Sequence, residues 1–93
     1  NPSRYQITGC TTRAAFDTAA DSTLLVDTPE GGFTDNPDAL PYRIRCAGVV
    51  FEVTAVSAPG ATQDLTVTVL NGVNKVIPAG SPVEIHYESY YAL

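Results

Sequence analysis

The sequence predicts an all-β domain, a small antiparallel β-barrel or β-sandwich of five to six short strands. Three observations carry that expectation. Stretches such as Tyr42–Val56, Leu65–Leu70 and Val83–Glu88 alternate apolar and polar residues, which gives a strand one core face and one wetter face. Breaker clusters punctuate them at regular spacing: Pro29 to Gly32, Ser57 to Gly60, Asn71-Gly72 and Pro78 to Gly80. The one stretch with helix formers, around Ala14, Ala15 and Ala19, has a single large apolar anchor, Phe16, and a short helix so weakly held does not repay its nucleation.

Residues 1–21 read as a weakly ordered or extended lead-in, with Arg4–Thr8 a short strand that Gly9 breaks. Ser22–Thr28 is the first well-patterned strand, Leu24 and Val26 facing one way and Thr23, Leu25 and Asp27 the other. Pro29–Pro41 follows as a long connection, because three prolines withdraw donors and forbid a central strand. Phe33 and Leu40 are apolar within it, so they are expected to pin the loop over one end of the core.

Tyr42–Val56 is the central hairpin. Tyr42, Ile44 and Cys46 share one side, Arg43 and Arg45 the other, Ala47-Gly48 turns the chain, and Val49, Phe51, Val53 and Ala55 return along the core. Ser57–Asp64 is a surface turn, and Leu65, Val67 and Val69 face the core from the next strand. Asn71-Gly72 predicts a second hairpin, with Val73–Ile77 as its return arm. Val83–Glu88 is the last strand, ahead of Ser89-Tyr90-Tyr91-Ala92-Leu93.

A chain of 93 residues makes a single β domain, 1–93. It starts Asn1-Pro2-Ser3-Arg4, with neither an initiator Met nor a signal-peptide pattern, and is expected to be part of a longer polypeptide or a processed product. No apolar run approaches the roughly 20 residues of a membrane span, so no membrane insertion is expected. The net charge is −5 and the five basic residues are scattered, which argues against nucleic acid as a partner. Two cysteines, Cys10 and Cys46, are too few for a disulfide framework; a bond between them, or a packing role for Cys46 in the core, both remain open at this level.

A search for catalytic chemistry finds none to name. His86 falls on an outward face beside Glu84 and Glu88, without a nucleophile in an elbow context. One histidine and two distant cysteines make no zinc set, and Asp35, Asn36 and Asp38 read as turn chemistry, because Pro37 interrupts them and the EF-hand pattern is missing. There is no phosphate loop. The expectation is a non-enzyme without cofactor or metal. Tyrosine joins a flat apolar body to a polar tip and suits interfaces. The candidate interaction surface is therefore Phe33, Leu40, Tyr42, Tyr87, Tyr90 and Tyr91.

The long loop and central hairpin, FTDNPDALPYRIRCAGVVFEVTAV, resemble a segment of minor tail proteins of actinobacterial siphoviruses and prophages. Phe33, Thr34, Asp35, Pro37, Leu40, Pro41, Tyr42, Ile44, Gly48 and the Val53-Thr54-Ala55-Val56 ending carry the likeness. Asn71, Gly72, Val73, Lys75, Ala79, Gly80 and Val83 continue it downstream, and FDTAADSTLLVDT is similar to the strand opening that module. The resemblance covers residues 16–85. It implies a structural module of a virion tail protein at the distal end, with other tail proteins and further copies of itself as partners, and a host cell-surface glycan as a contact. It implies no catalytic residue. A carbohydrate-binding surface module, with Tyr42, Tyr87, Tyr90 and Tyr91 as stacking platforms, and a capsid decoration domain are the alternatives.

Overall fold

A computed structural model describes residues 3–29 and 31–88. Its strands are β1 (Ser3–Thr12), β2 (Phe16–Asp17), β3 (Thr23–Asp27), β4 (Tyr42–Cys46), β5 (Val49–Val56), β6 (Thr62–Val69), β7 (Val76–Ile77) and β8 (Pro82–Glu88). Six of them close an all-antiparallel barrel in the order β1-β3-β6-β5-β4-β8, and β2 pairs with β7 as a separate two-stranded piece. The expected small antiparallel barrel is the fold.

The central hairpin forms as its alternation requires. Tyr42 pairs with Val53, Ile44 with Phe51 and Cys46 with Val49, across a turn where Ala47 and Gly48 both take positive φ (52° and 81°). Such a turn matches the twist of the flanking strands. Ile44, Cys46, Val49, Phe51 and Val53 are fully buried, while Arg43 is exposed. Ala55 is not a core residue, contrary to expectation. The pairing of β5 with β6 shifts between Val53 and Ala55, leaving Thr54 as an extra residue, so the inward row passes from Val53 to Val56. A one-residue bulge reverses the parity of every residue beyond it.

The lead-in is where the structure departs most from expectation. Residues 3–12 are extended, one of the two expected forms, but as a single ten-residue strand that Gly9 does not end. Gly9 takes φ 81° at an irregularity between Ile7 and Thr11, where the register with β8 slips and the strand bends onto the barrel. Beyond that point Cys10 and Thr12 turn inward and are buried. Thr12 is held by four bonds to the 78–81 turn: its hydroxyl donates to Pro78 O, its amide donates to Ser81 O, its carbonyl accepts from Gly80 N, and Ser81 N donates to its Oγ1.

The Asn71-Gly72 hairpin does not form either. Both edges of β6 are already occupied, by β3 and β5, so β7 has no place beside it and pairs with β2 through Phe16–Ile77. Phe16 and Ile77 cap the barrel end nearest the Ala47-Gly48 turn, Phe16 meeting Phe51 edge-on at 5.4 Å between ring centroids. The opposite end is closed by the 31–41 loop. Phe33 is buried there and Leu40 packs partly against the same cluster, as expected of apolar residues in a polar connection. Pro37–Ala39 form a turn of 3₁₀ helix capped by Asn36, whose Oδ1 accepts from Asp38 N. Cys10 and Cys46 are both buried and free.

Candidate functional site

Charged and aromatic side chains meet one another on the outer face of β1, β8 and β4. Two cross-strand rungs run over this face. In one, Ile7 of β1 lies opposite Glu84 of β8, which lies opposite Arg45 of β4, itself opposite Val50 of β5. In the other, Tyr5 lies opposite His86, and Arg43 lies opposite Glu52. Directly opposed side chains in antiparallel strands are close enough to interact, and Arg45 with Glu84 and Tyr5 with His86 do so here.

The Arg45 guanidinium grips Glu84 through Nε and Nη2 at 3.1 and 3.3 Å, and its carbon lies 4.3 Å from the centre of the Tyr5 ring. Bonding to Glu84 raises the Arg45 pKa further above its ordinary value. Tyr5 in turn stacks on His86, with centroids 4.8 Å apart and planes tilted by 32°. A cation over one ring and an imidazole beside it fix Tyr5 half-buried against the sheet. The sequence placed His86 on the outer face near Glu84, and there it sits. Its partnership with Tyr5, 81 positions away, had no signal in local pattern.

Next to this cluster lies a shallow open groove of about 340 Å³, lined by Pro41, Tyr42, Arg43, Glu52 and His86. Three strands contribute: β4 brings Tyr42 and Arg43, β5 Glu52 and β8 His86. Tyr42 is the half-buried wall, its hydroxyl donating to Thr34 O at 3.4 Å, and burial pushes its pKa up to about 12. The groove combines one aromatic edge with a cation, a carboxylate and an imidazole. That set suits polar recognition. A nucleophile is not among its lining residues, and the described residues contain no group of three or more His, Cys, Asp or Glu placed to hold a metal ion.

The candidate interaction residues are therefore divided. Tyr42 lines the groove. Leu40 lies just before Pro41 at its rim and is partly buried. Phe33 is only 4% exposed, so it anchors the loop to the core and offers no surface to a partner. Tyr87 lies on β8 opposite Arg4, and Tyr90 and Tyr91 lie outside the described residues. Sequence reasoning missed Tyr5, Glu52 and His86 as members of one surface, because only the barrel's register brings them together.

Scans against models of known protein families, against curated proteins and against solved structures give no match.

Proposed function

We propose that this domain is a structural and interaction module of a bacteriophage minor tail protein, a building block of the distal tail that works by contact rather than by catalysis. The observation that carries the reading is the closed barrel with a filled interior: Leu24, Ile44, Phe51, Leu65 and Val83 are all fully buried. A small barrel packed with its own side chains has no room for a ligand inside, so its business is done on its outer surface. The resemblance to tail modules supports the same reading. Its two main blocks correspond to the 31–41 loop with the β4–β5 hairpin, and to β6 through β8, of which β6 and β8 flank that hairpin in the barrel.

Gold-labelled antibodies raised against residues 1–93, imaged on virions of the phage that encodes the chain, test the proposal. Label at the far end of the tail is the expected result. Label on the head, as a capsid decoration domain requires, or virions without label, overturns it.

The groove at Tyr42 favours a second duty, contact with a host cell-surface glycan. An aromatic wall flanked by Arg43 and Glu52 offers stacking and charged hydrogen bonds to a sugar. Binding on an array of actinobacterial cell-wall glycans that is lost in Tyr42→Ala supports this duty; a blank array removes it.

A further inference from the structure

One side of β1 is an open edge. β1 pairs with β8 from Ser3 to Ile7, yet it meets β3 only at Thr11 and Thr12. Among the described residues, no strand pairs with the other side of Arg4–Gly9. Native edges usually carry prolines, lysines or inward charges that discourage pairing. Arg4-Tyr5-Gln6-Ile7-Thr8 has no proline and a single charge, and Ile7 stands 70% exposed on it.

We propose that this edge is a self-association site, at which two copies of the chain pair antiparallel through β1 about a twofold axis at Gln6. The register follows from the side chains. Tyr5 and Ile7 share the outer face with His86 and Glu84, since alternate residues of a strand share a face. With Gln6 opposite its own counterpart, Tyr5 of each copy lies opposite Ile7 of the other. Two aromatic–β-branched pairs form at once, and such pairs are among the favourable cross-strand contacts. Arg4 meets Thr8, so the only charge on the edge faces a neutral hydroxyl and the two arginines stay apart. Moving the axis to Ile7 sets Tyr5 against Gly9, and moving it to Tyr5 sets Ile7 against Ser3; both waste the ring or the aliphatic side chain. The edge is thus complementary to itself in one register, which is what an isologous contact requires and what marks a second copy as its occupant. The sheet would run unbroken from β4 and β8 of one copy through both β1 strands to β8 and β4 of the other.

This inference rests on the assembly reading in that it names a contact by which the building block meets itself. It is measured in dilute solution without virions, so a monomeric result leaves the tail location standing, and unlabelled virions leave the dimer standing. The chain is followed by sedimentation equilibrium from about 1 µM to about 1 mM, a range that brackets a weak interface. A reversible dimer is expected. Ile7→Lys, at an exposed position beside Glu84, should keep the far-ultraviolet spectrum and weaken the dimer about tenfold through the loss of two cross-strand pairs. Gln6→Cys should form a disulfide-linked dimer under a mild oxidant, because residues on the axis face each other within bonding range. Ile7→Cys should not, being displaced from its counterpart by two positions. A single-copy mass throughout, a folded Ile7→Lys chain that dimerises as well as the parent, or cross-linking through Ile7→Cys in preference to Gln6→Cys would each overturn the proposal.

Discussion

Gln63 holds both polar groups of the Phe33 backbone. Its Oε1 accepts from Phe33 N at 2.7 Å, its Nε2 donates to Phe33 O at 2.8 Å, and the same Nε2 reaches Ser57 O at 3.1 Å. A side-chain amide thus stands in for one step of a β ladder and seals the 31–41 loop to the barrel. Gln63 is only 1% exposed, and nothing else in its strand is both polar and buried.

Gln63→Leu should lower unfolding free energy by about 2–4 kcal/mol, since two buried backbone groups lose their partners together. Urea melts read the loss, and hydrogen exchange at the Phe33 amide should accelerate with it. A change below about 0.5 kcal/mol, the level of an ordinary surface substitution, would mean that the loop is held by Phe33 packing alone.

Gly32 is expected to be the least replaceable glycine of that loop. It has φ 83°, and a β-carbon there would collide with Gln63 Oε1 and the Thr28 side chain. Gly31, at φ 114°, has open space around it. Both alanine variants carry the left-handed backbone cost of about 1 kcal/mol or more. Gly32→Ala should cost clearly more than Gly31→Ala in the same melt, and equal costs would show that Gln63 moves aside freely.

Alkaline pH should destabilise the fold through Cys46 and then Tyr42. Burial, with the Glu84 charge adding to it, pushes the Cys46 thiol up to about 11 from its ordinary 9.0. A thiol that ionises more readily unfolded than folded favours the folded state fully below pH 9 and loses that advantage as pH climbs to about 11. Tyr42 repeats the pattern between 10.0 and about 12. Stability should therefore be level near pH 8 and fall on the order of 2 kcal/mol across the thiol window. Cys46→Ala should flatten the lower half of that fall while leaving the upper half. An unchanged slope would assign the loss elsewhere. At pH 8 a thiol reagent should find both cysteines only after denaturation, both being buried and free.

Asn71→Ala should loosen the central hairpin rather than a turn of its own. The Asn71 amide accepts from Val50 N at 3.2 Å and donates to Gly48 O at 3.1 Å, bracing the start of β5. Losing both bonds at this exposed site should cost about 1–2 kcal/mol. Faster amide exchange at Val50 should accompany it; no change there would separate Asn71 from the hairpin.

The contrast between Asn71 and Ala47-Gly48 shows what local pattern can convey. The β4–β5 hairpin was legible because its pairing partners are neighbours in sequence and its core rows are apolar: Ile44 meets Phe51, and Cys46 meets Val49. β1 was legible only as the short stretch Arg4–Thr8; its run through Gly9 and its pairing were not, because Arg4, Gln6 and Thr8 are polar and its partner β8 begins 79 positions after it does. Asn71-Gly72 carries turn chemistry in both readings, but which strand pairs next was decided by β3 and β5 having taken both edges of β6. The groove was half legible for the same reason. Tyr42 stood out as an aromatic after Pro41, whereas Glu52 and His86 looked like ordinary solvated residues until register placed them beside it.

The seam between β1 and β8 sets Ser3 opposite Glu88, at opposite ends of the described chain. On the ribosome β1 must therefore emerge and wait while everything between is translated, since vectorial synthesis delivers β8 well after it. Until then its Ile7 and both rows of unpaired amides are offered to any extended peptide nearby. A truncated or stalled product would keep that invitation open, and co-expression with the missing C-terminal strand as a separate peptide is the natural way to close it.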